Sequence, residues 1–149
     1  LNYRMSEIEA TIGVEQLKKL NRFIKTRNGN HNYLASKLNN NANFEIINPK
    51  IKNDSNWSHY CFTIILSDKI VKKRNNIINK LNKSGIGTSI YYPHPVPLMS
   101  FFKKKYGCKK RDFINSSIFS YKTIMLPVGP HIDKIKLAYI VKKINEFVK

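Results

Sequence analysis

Acidic residues are scarce in this sequence: nine Asp and Glu stand against 27 Lys and Arg, for a formal charge of +18. With so few carboxylates, and no two set apart as a couple, spacing marks no general acid and base. Cysteine is rarer still. Cys61 and Cys108 make no disulfide framework, and neither belongs to a Cys-x-x-Cys. Cys61 lies in an apolar run and reads as a small buried hydrophobe; Cys108 sits among lysines in an expected loop. Glycine is too sparse for a phosphate cradle. There is no P-loop, and Ser84-Gly85-Ile86-Gly87 lacks the third glycine of a dinucleotide fingerprint and precedes an expected strand. No Gly-x-Ser-x-Gly occurs, and the four histidines lack metal-ligand spacing. No apolar run approaches the ~20 residues that span a bilayer. Arg4 and Glu7 interrupt what would have to be a signal peptide. A cytoplasmic protein is the expectation.

What is present is a hydrophobic share of 42%, enough for a folded core in 149 residues. The positive charge allows two readings. One is an anionic partner: nucleic acid, a membrane surface or a phosphorylated substrate. The other is solvated faces of a lysine-, asparagine- and isoleucine-rich composition of the kind an AT-rich genome imposes. The lysines run along the whole chain with only short clusters, and lysine outnumbers the arginine that base-edge readers prefer. Nucleic acid is therefore the less favoured partner.

Ser6-Glu7-Ile8-Glu9 fits a capping box, and apolar residues at Met5, Ile8, Ile12, Leu17, Leu20 and Ile24 follow helical spacing. Past a weak point at Asn28-Gly29-Asn30, His31, Leu34 and Leu38 continue the stripe. The pattern predicts one long helix, kinked or straight, ending in the asparagines of 39–43. A helix of that length bridges domains or lines a subunit interface. Beyond it the pattern predicts strands at 44–47, 57–66, 86–92 and 123–126, and a polar loop over 50–56. Helices are expected at 69–82, capped by Asp68 and stopped by Gly85, at 112–120, and at 132–148, with a helical turn at 101–106. The class is α+β: a small, mostly antiparallel sheet with helices on one face, preceded by the long helix at 1–43, the small domain occupying 44–149.

Three stretches, in order, carry a resemblance. "LNYRMSEIEATIGVEQLKKLNRFIKTR" places Asn2, Arg4, Met5, Ser6, Glu7, Ala10, Gly13, Gln16 and Leu17 in register with Gly-x-Asn-x-Arg-Met/Leu-Ser/Thr-Glu/Asp-x-x-Ala-Ala-x-Gly-x-x-Gln-Leu. Thr11 takes the place of the second alanine. "SGIGTSIYYPHPVPL" resembles Gly-x-x-Thr-x-x-x-Tyr-x-x-Pro-x-Pro-Leu, and "IMLPVGPHIDKIKLAYIVKKINEF" a closing Leu-Pro strand and terminal helix. Together they resemble the DegT/DnrJ/EryC1/StrS family of pyridoxal-phosphate-dependent sugar aminotransferases, over essentially the whole chain.

The resemblance implies a C-terminal fragment of a fold-type I enzyme, whose large cofactor-binding domain and Schiff-base lysine lie upstream. The fragment alone is then expected to be inactive. The intact enzyme would transfer an amino group, from glutamate, to a nucleotide-linked keto-sugar of cell-surface polysaccharide synthesis, with pyridoxal 5'-phosphate as cofactor. It would be a homodimer with a shared active site. Asn2 would reach the cofactor phosphate of the neighbouring subunit, or else only cap the helix. Arg4 would meet anionic oxygens in the same site, or form a structural ion pair. Tyr91 and Tyr92 fall where substrate-contacting residues lie, and packing between strands would explain them equally. Many relatives carry a histidine shortly after Pro-x-Pro-Leu; Met99 stands there, and His94 is the substitute candidate. No catalytic residue and no metal ligand is assigned. Two alternatives remain: a 3-dehydratase of the same family, and a non-catalytic basic module for nucleic-acid binding or assembly.

Overall fold

The computed structural model describes residues 4–48 and 57–149. The expected loop at 50–56 and the candidate Asn2 lie outside the described residues. Helix α1 spans Glu7–Leu38. It starts where the capping box dictates: the Glu9 N–H donates to Ser6 Oγ at 3.3 Å, and the Ser6 N–H donates to Glu9 Oε2 at 2.8 Å. Those bonds hold the Glu9 carboxyl below the usual range. The helix runs unbroken through Gly29 and ends at Asn39.

Strand β1 (Phe44–Ile46) pairs antiparallel with β2 (Phe62–Leu66), which pairs antiparallel with β3 (Thr123–Leu126). Helix α2 is Arg74–Lys83, α3 Ser100–Tyr106, α4 Ile114–Lys122 and α5 Lys134–Phe147. Asp133 caps α5 by accepting from the Lys136 N–H at 2.8 Å. One core unites Phe62, Ile64, Leu66, Ile124 and Leu126 of the sheet with Leu34 and Leu38 of α1, Ile77 and Leu81 of α2, and Leu137, Ile140 and Ile144 of α5. Only the last third of α1 takes part: its buried residues are Asn30, His31, Leu34 and Leu38. Helix α4 packs on β2 and β3 and lies against the side that bears Thr63, Ile65 and Met125, where Phe119 shares a cavity wall with Thr63 and Met125.

The structure corrects three local expectations. The strand expected over 57–66 begins only at Phe62, because His59 adopts a left-handed backbone (φ 41°) that an extended ladder cannot contain. The strand expected over 86–92 is reduced to a single bridge, Ser89 with Met125, their two N–H···O bonds 3.1 and 3.0 Å long. The prolines that follow, Pro93, Pro95 and Pro97, have no N–H to extend the ladder. Asp68 caps no helix. A 3-10 turn, Val71–Lys73, precedes α2 without a side-chain cap, and the Asp68 carboxylate pairs with Lys122 Nζ at 2.6 Å. Gly85 does end α2, at φ 78°, a conformation glycine adopts without a steric penalty.

Candidate functional site

Two places hold the candidate residues, and they lie at opposite ends of one helix. Arg4 precedes the capping box at the exposed start of α1. The helix beyond it bares a row of apolar side chains: Met5 is 72% exposed, Ile8 75%, Ile12 57% and Leu17 66%. No part of this chain's core covers them. From Glu7 to Arg27 the helix rises by 20 steps of about 1.5 Å, about 30 Å. Arg4 is thus separated by about that length from the second place.

The second place is a cleft where the C-terminal third of α1 meets the segment before β2, the Ser89 bridge and the 128–131 loop. Tyr91 lines both of its lobes, of about 260 and 300 Å³. In the first lobe Tyr91 faces Tyr60, ring centroids 6.0 Å apart, and the Arg27 guanidinium lies 5.7 Å from the centre of the Tyr60 ring. The Tyr91 hydroxyl raises the Tyr60 phenol above its ordinary range, against the opposing pull of Arg27. In the second lobe the rings of His31 and His59 lie 3.8 Å apart, His31 against Phe62 and His59 against Trp57. Burial, with the neighbouring His59, lowers His31 to about 4. Burial also lowers His59. Both are neutral at pH 7.

The loop wall is fixed from α1. The Asn30 side-chain amide donates to the carbonyls of Val128, Gly129 and Ile132 at 3.2, 3.1 and 3.2 Å. A Cβ on Gly129 would come within 2.6 Å of the His131 ring, so a larger residue there would require that imidazole to shift.

Of the described candidate site residues, Arg4, Tyr91, Tyr92 and His94, Tyr91 alone lines the cleft. Tyr92 points outward, 68% exposed, and His94 is exposed with its ring 6.4 Å from that of Tyr121. Sequence reasoning missed Arg27, His59, Tyr60 and His131 as neighbours of Tyr91. His31 read only as part of an apolar stripe, and no local spacing links it to His59. Among the described residues no three His, Cys, Asp or Glu are grouped to hold a metal ion. Among the described residues the cleft walls contain neither a lysine nor a carboxylate. They therefore do not by themselves fit pyridoxal phosphate, which needs an amine to bear it and an acid beside its ring nitrogen.

The architecture is that of the C-terminal part of a fold-type I aminotransferase. The structure of PseC from Helicobacter pylori, an aminotransferase of pseudoaminic acid biosynthesis, superposes on 99% of this chain with a TM-score of 0.88 at 20% identity. This chain covers 38% of that one. The model of the DegT/DnrJ/EryC1/StrS aminotransferase family matches residues 1–145, and the chain belongs to that family. It is 33% identical to the uncharacterized protein MJ1066 of Methanocaldococcus jannaschii over 95% of this chain and 37% of that protein. It is 30% identical to the UDP-4-amino-4,6-dideoxy-N-acetyl-beta-L-altrosamine transaminase of Campylobacter jejuni over 71% of this chain and 27% of that enzyme. The chain thus spans about a third of the length of the curated relatives it matches.

Proposed function

We propose that this chain forms the interface helix and small domain of a pyridoxal-phosphate-dependent aminotransferase that moves an amino group from glutamate to a nucleotide-linked keto-sugar. The observation that carries the reading is the separation of Arg4 from the Tyr91 cleft. About 30 Å of rigid helix keeps them from one small ligand within one chain. Both can serve catalysis if α1 crosses to a second subunit and delivers Arg4, with Asn2, to that subunit's site. The uncovered apolar row from Met5 to Leu17 supports such a crossing, since an exposed stripe of this kind calls for a packing partner. The reading also includes a homodimer and a cofactor-bearing domain preceding this part of the enzyme.

In that assembly the residues of this chain bind and orient. Arg4 offers a planar fork of donors to anionic oxygens, beside a helix N-terminus that favours them. Tyr91, held against Tyr60, presents a hydroxyl at the cleft mouth. His94 and Tyr92, both exposed on the chain alone, are placed to meet groups from outside it.

A chimera tests this. The large domain of the Campylobacter jejuni transaminase, joined to this chain in place of its own C-terminal region, should dimerise, bind the cofactor and form glutamate-dependent amino-sugar. Arg4→Ala in the chimera should lower turnover without unfolding it. A dimeric, cofactor-loaded chimera that leaves the keto-sugar unchanged would sink the proposal. Loss of water from the sugar in place of amino transfer would instead assign the family's dehydratase reaction.

A further inference from the structure

The first lobe of the cleft contains a guanidinium with an unmet donor. Arg27 Nε is removed from solvent and has no hydrogen-bond partner among the described residues. No described Asp or Glu lies among the lobe's walls. Arg74, whose Nε is also unpartnered, at least gives a terminal N–H to the Ser120 carbonyl at 2.9 Å, and Arg111 lies 3.8 Å from Asp112. Among the described residues, the contact recorded for the Arg27 guanidinium is the face of Tyr60, 5.7 Å away. A buried donor left unmade is costly, and one that lines a cavity can be completed by a ligand there.

The walls around Arg27 converge on the same hole. Ser89 lines it with a hydroxyl that bonds nothing among the described residues, while the backbone of Ser89 is pinned by its bridge to Met125. His131 lines it from the loop that Asn30 anchors, its ring lying close to Gly129. Tyr60 and Tyr91 add two hydroxyls. The set is one guanidinium, one imidazole and three hydroxyls, with no carboxylate, around about 260 Å³. A neutral sugar would leave the Arg27 charge unanswered. An oxyanion answers it and can accept from Ser89 and His131, beside the paired hydroxyls of Tyr60 and Tyr91.

We infer that the Arg27 lobe is an oxyanion subsite that takes a phosphate or carboxylate group, with Arg27 as the charged donor and Ser89 and His131 as its neighbours. The inference stands on the walls of the lobe alone and does not require the aminotransfer reading. Diphosphate and amino-acid carboxylate share the needed chemistry, and separate titrations distinguish them.

The test uses the 149-residue chain labelled with ¹⁵N, whose five arginines give a sparse Nε–Hε spectrum. Sodium pyrophosphate is titrated in one arm and sodium glutamate in the other, at constant ionic strength to hold screening fixed. The Arg27 Nε–Hε signal and the Ser89 and Gly129 amides should shift and saturate in at least one arm, and that arm names the source. Arg27→Gln should raise the dissociation constant about tenfold or more. Lys72→Gln, on the exposed surface, should leave it unchanged. Arg27→Lys, which keeps the charge and loses the fork, should fall between and replaces the glutamine variant if that one does not fold. Shifts that never saturate in either arm, that affect all five arginines alike, or that survive both Arg27 variants would overturn the assignment.

Discussion

The imidazoles of His31 and His59 lie 3.8 Å apart between centroids, tilted at 34°, with Trp57 against His59, Phe62 against His31, and no carboxylate among the described wall residues. Both residues are buried, at 2% and 7% exposure. A proton on either ring would meet apolar neighbours and a second imidazole.

Stability should therefore fall on mild acidification. His31 titrates near 4 in the folded chain, against about 6.5 in the unfolded one, so the unfolded state binds more protons between these values. Its contribution is complete above pH 6.5, is lost progressively down to about pH 4, and is flat below. The shift corresponds to up to about 3 kcal/mol. Urea denaturation from pH 7.5 to 4 should show this slope, and His31→Gln should flatten it. An equal slope in both proteins would remove His31 as the cause.

Leu34 and Leu17 lie on one helix and should respond oppositely to substitution. Leu34 is fully buried in the core, and Leu34→Ala should cost about 2–5 kcal/mol of stability. Leu17 is 66% exposed, and Leu17→Asp should change monomer stability by no more than about 1 kcal/mol. The same aspartate should weaken self-association, read by sedimentation velocity. A dimer indifferent to Leu17→Asp would argue that this row is not its interface.

Gly29 sits within α1 with nothing inside 4 Å of where a Cβ would stand. Gly29→Ala should raise stability by about 1 kcal/mol, because alanine loses less backbone freedom on entering a helix. Thermal melting at pH 7 checks the sign.

Local chemistry made part of this legible in advance. The Ser6 and Glu9 side chains fix where α1 starts, Gly85 fixes where α2 stops, and β3 follows from an apolar run closed by Pro127. The misreadings share a cause. Asp68 resembled a cap until Lys122, on another helix, claimed its carboxylate. The 57–66 run had the composition of a strand, but His59 turns its backbone away so that its ring can stack on His31. The cleft was least legible, because Arg27, Tyr60, Tyr91 and His131 come from four separate segments and meet only through tertiary packing. Family resemblance singled out Tyr91 there, and packing supplied its company.

The three bonds from Asn30 make the 128–132 loop a passenger of α1. The same helix carries an uncovered row of apolar residues at its far end. The core and the cavity wall thus both hold the last third of one rod, and its first four turns stand clear of the described core. A partner that covers Ile8 and Ile12 therefore docks on the same rigid body that carries Arg27 and His31 of the cleft.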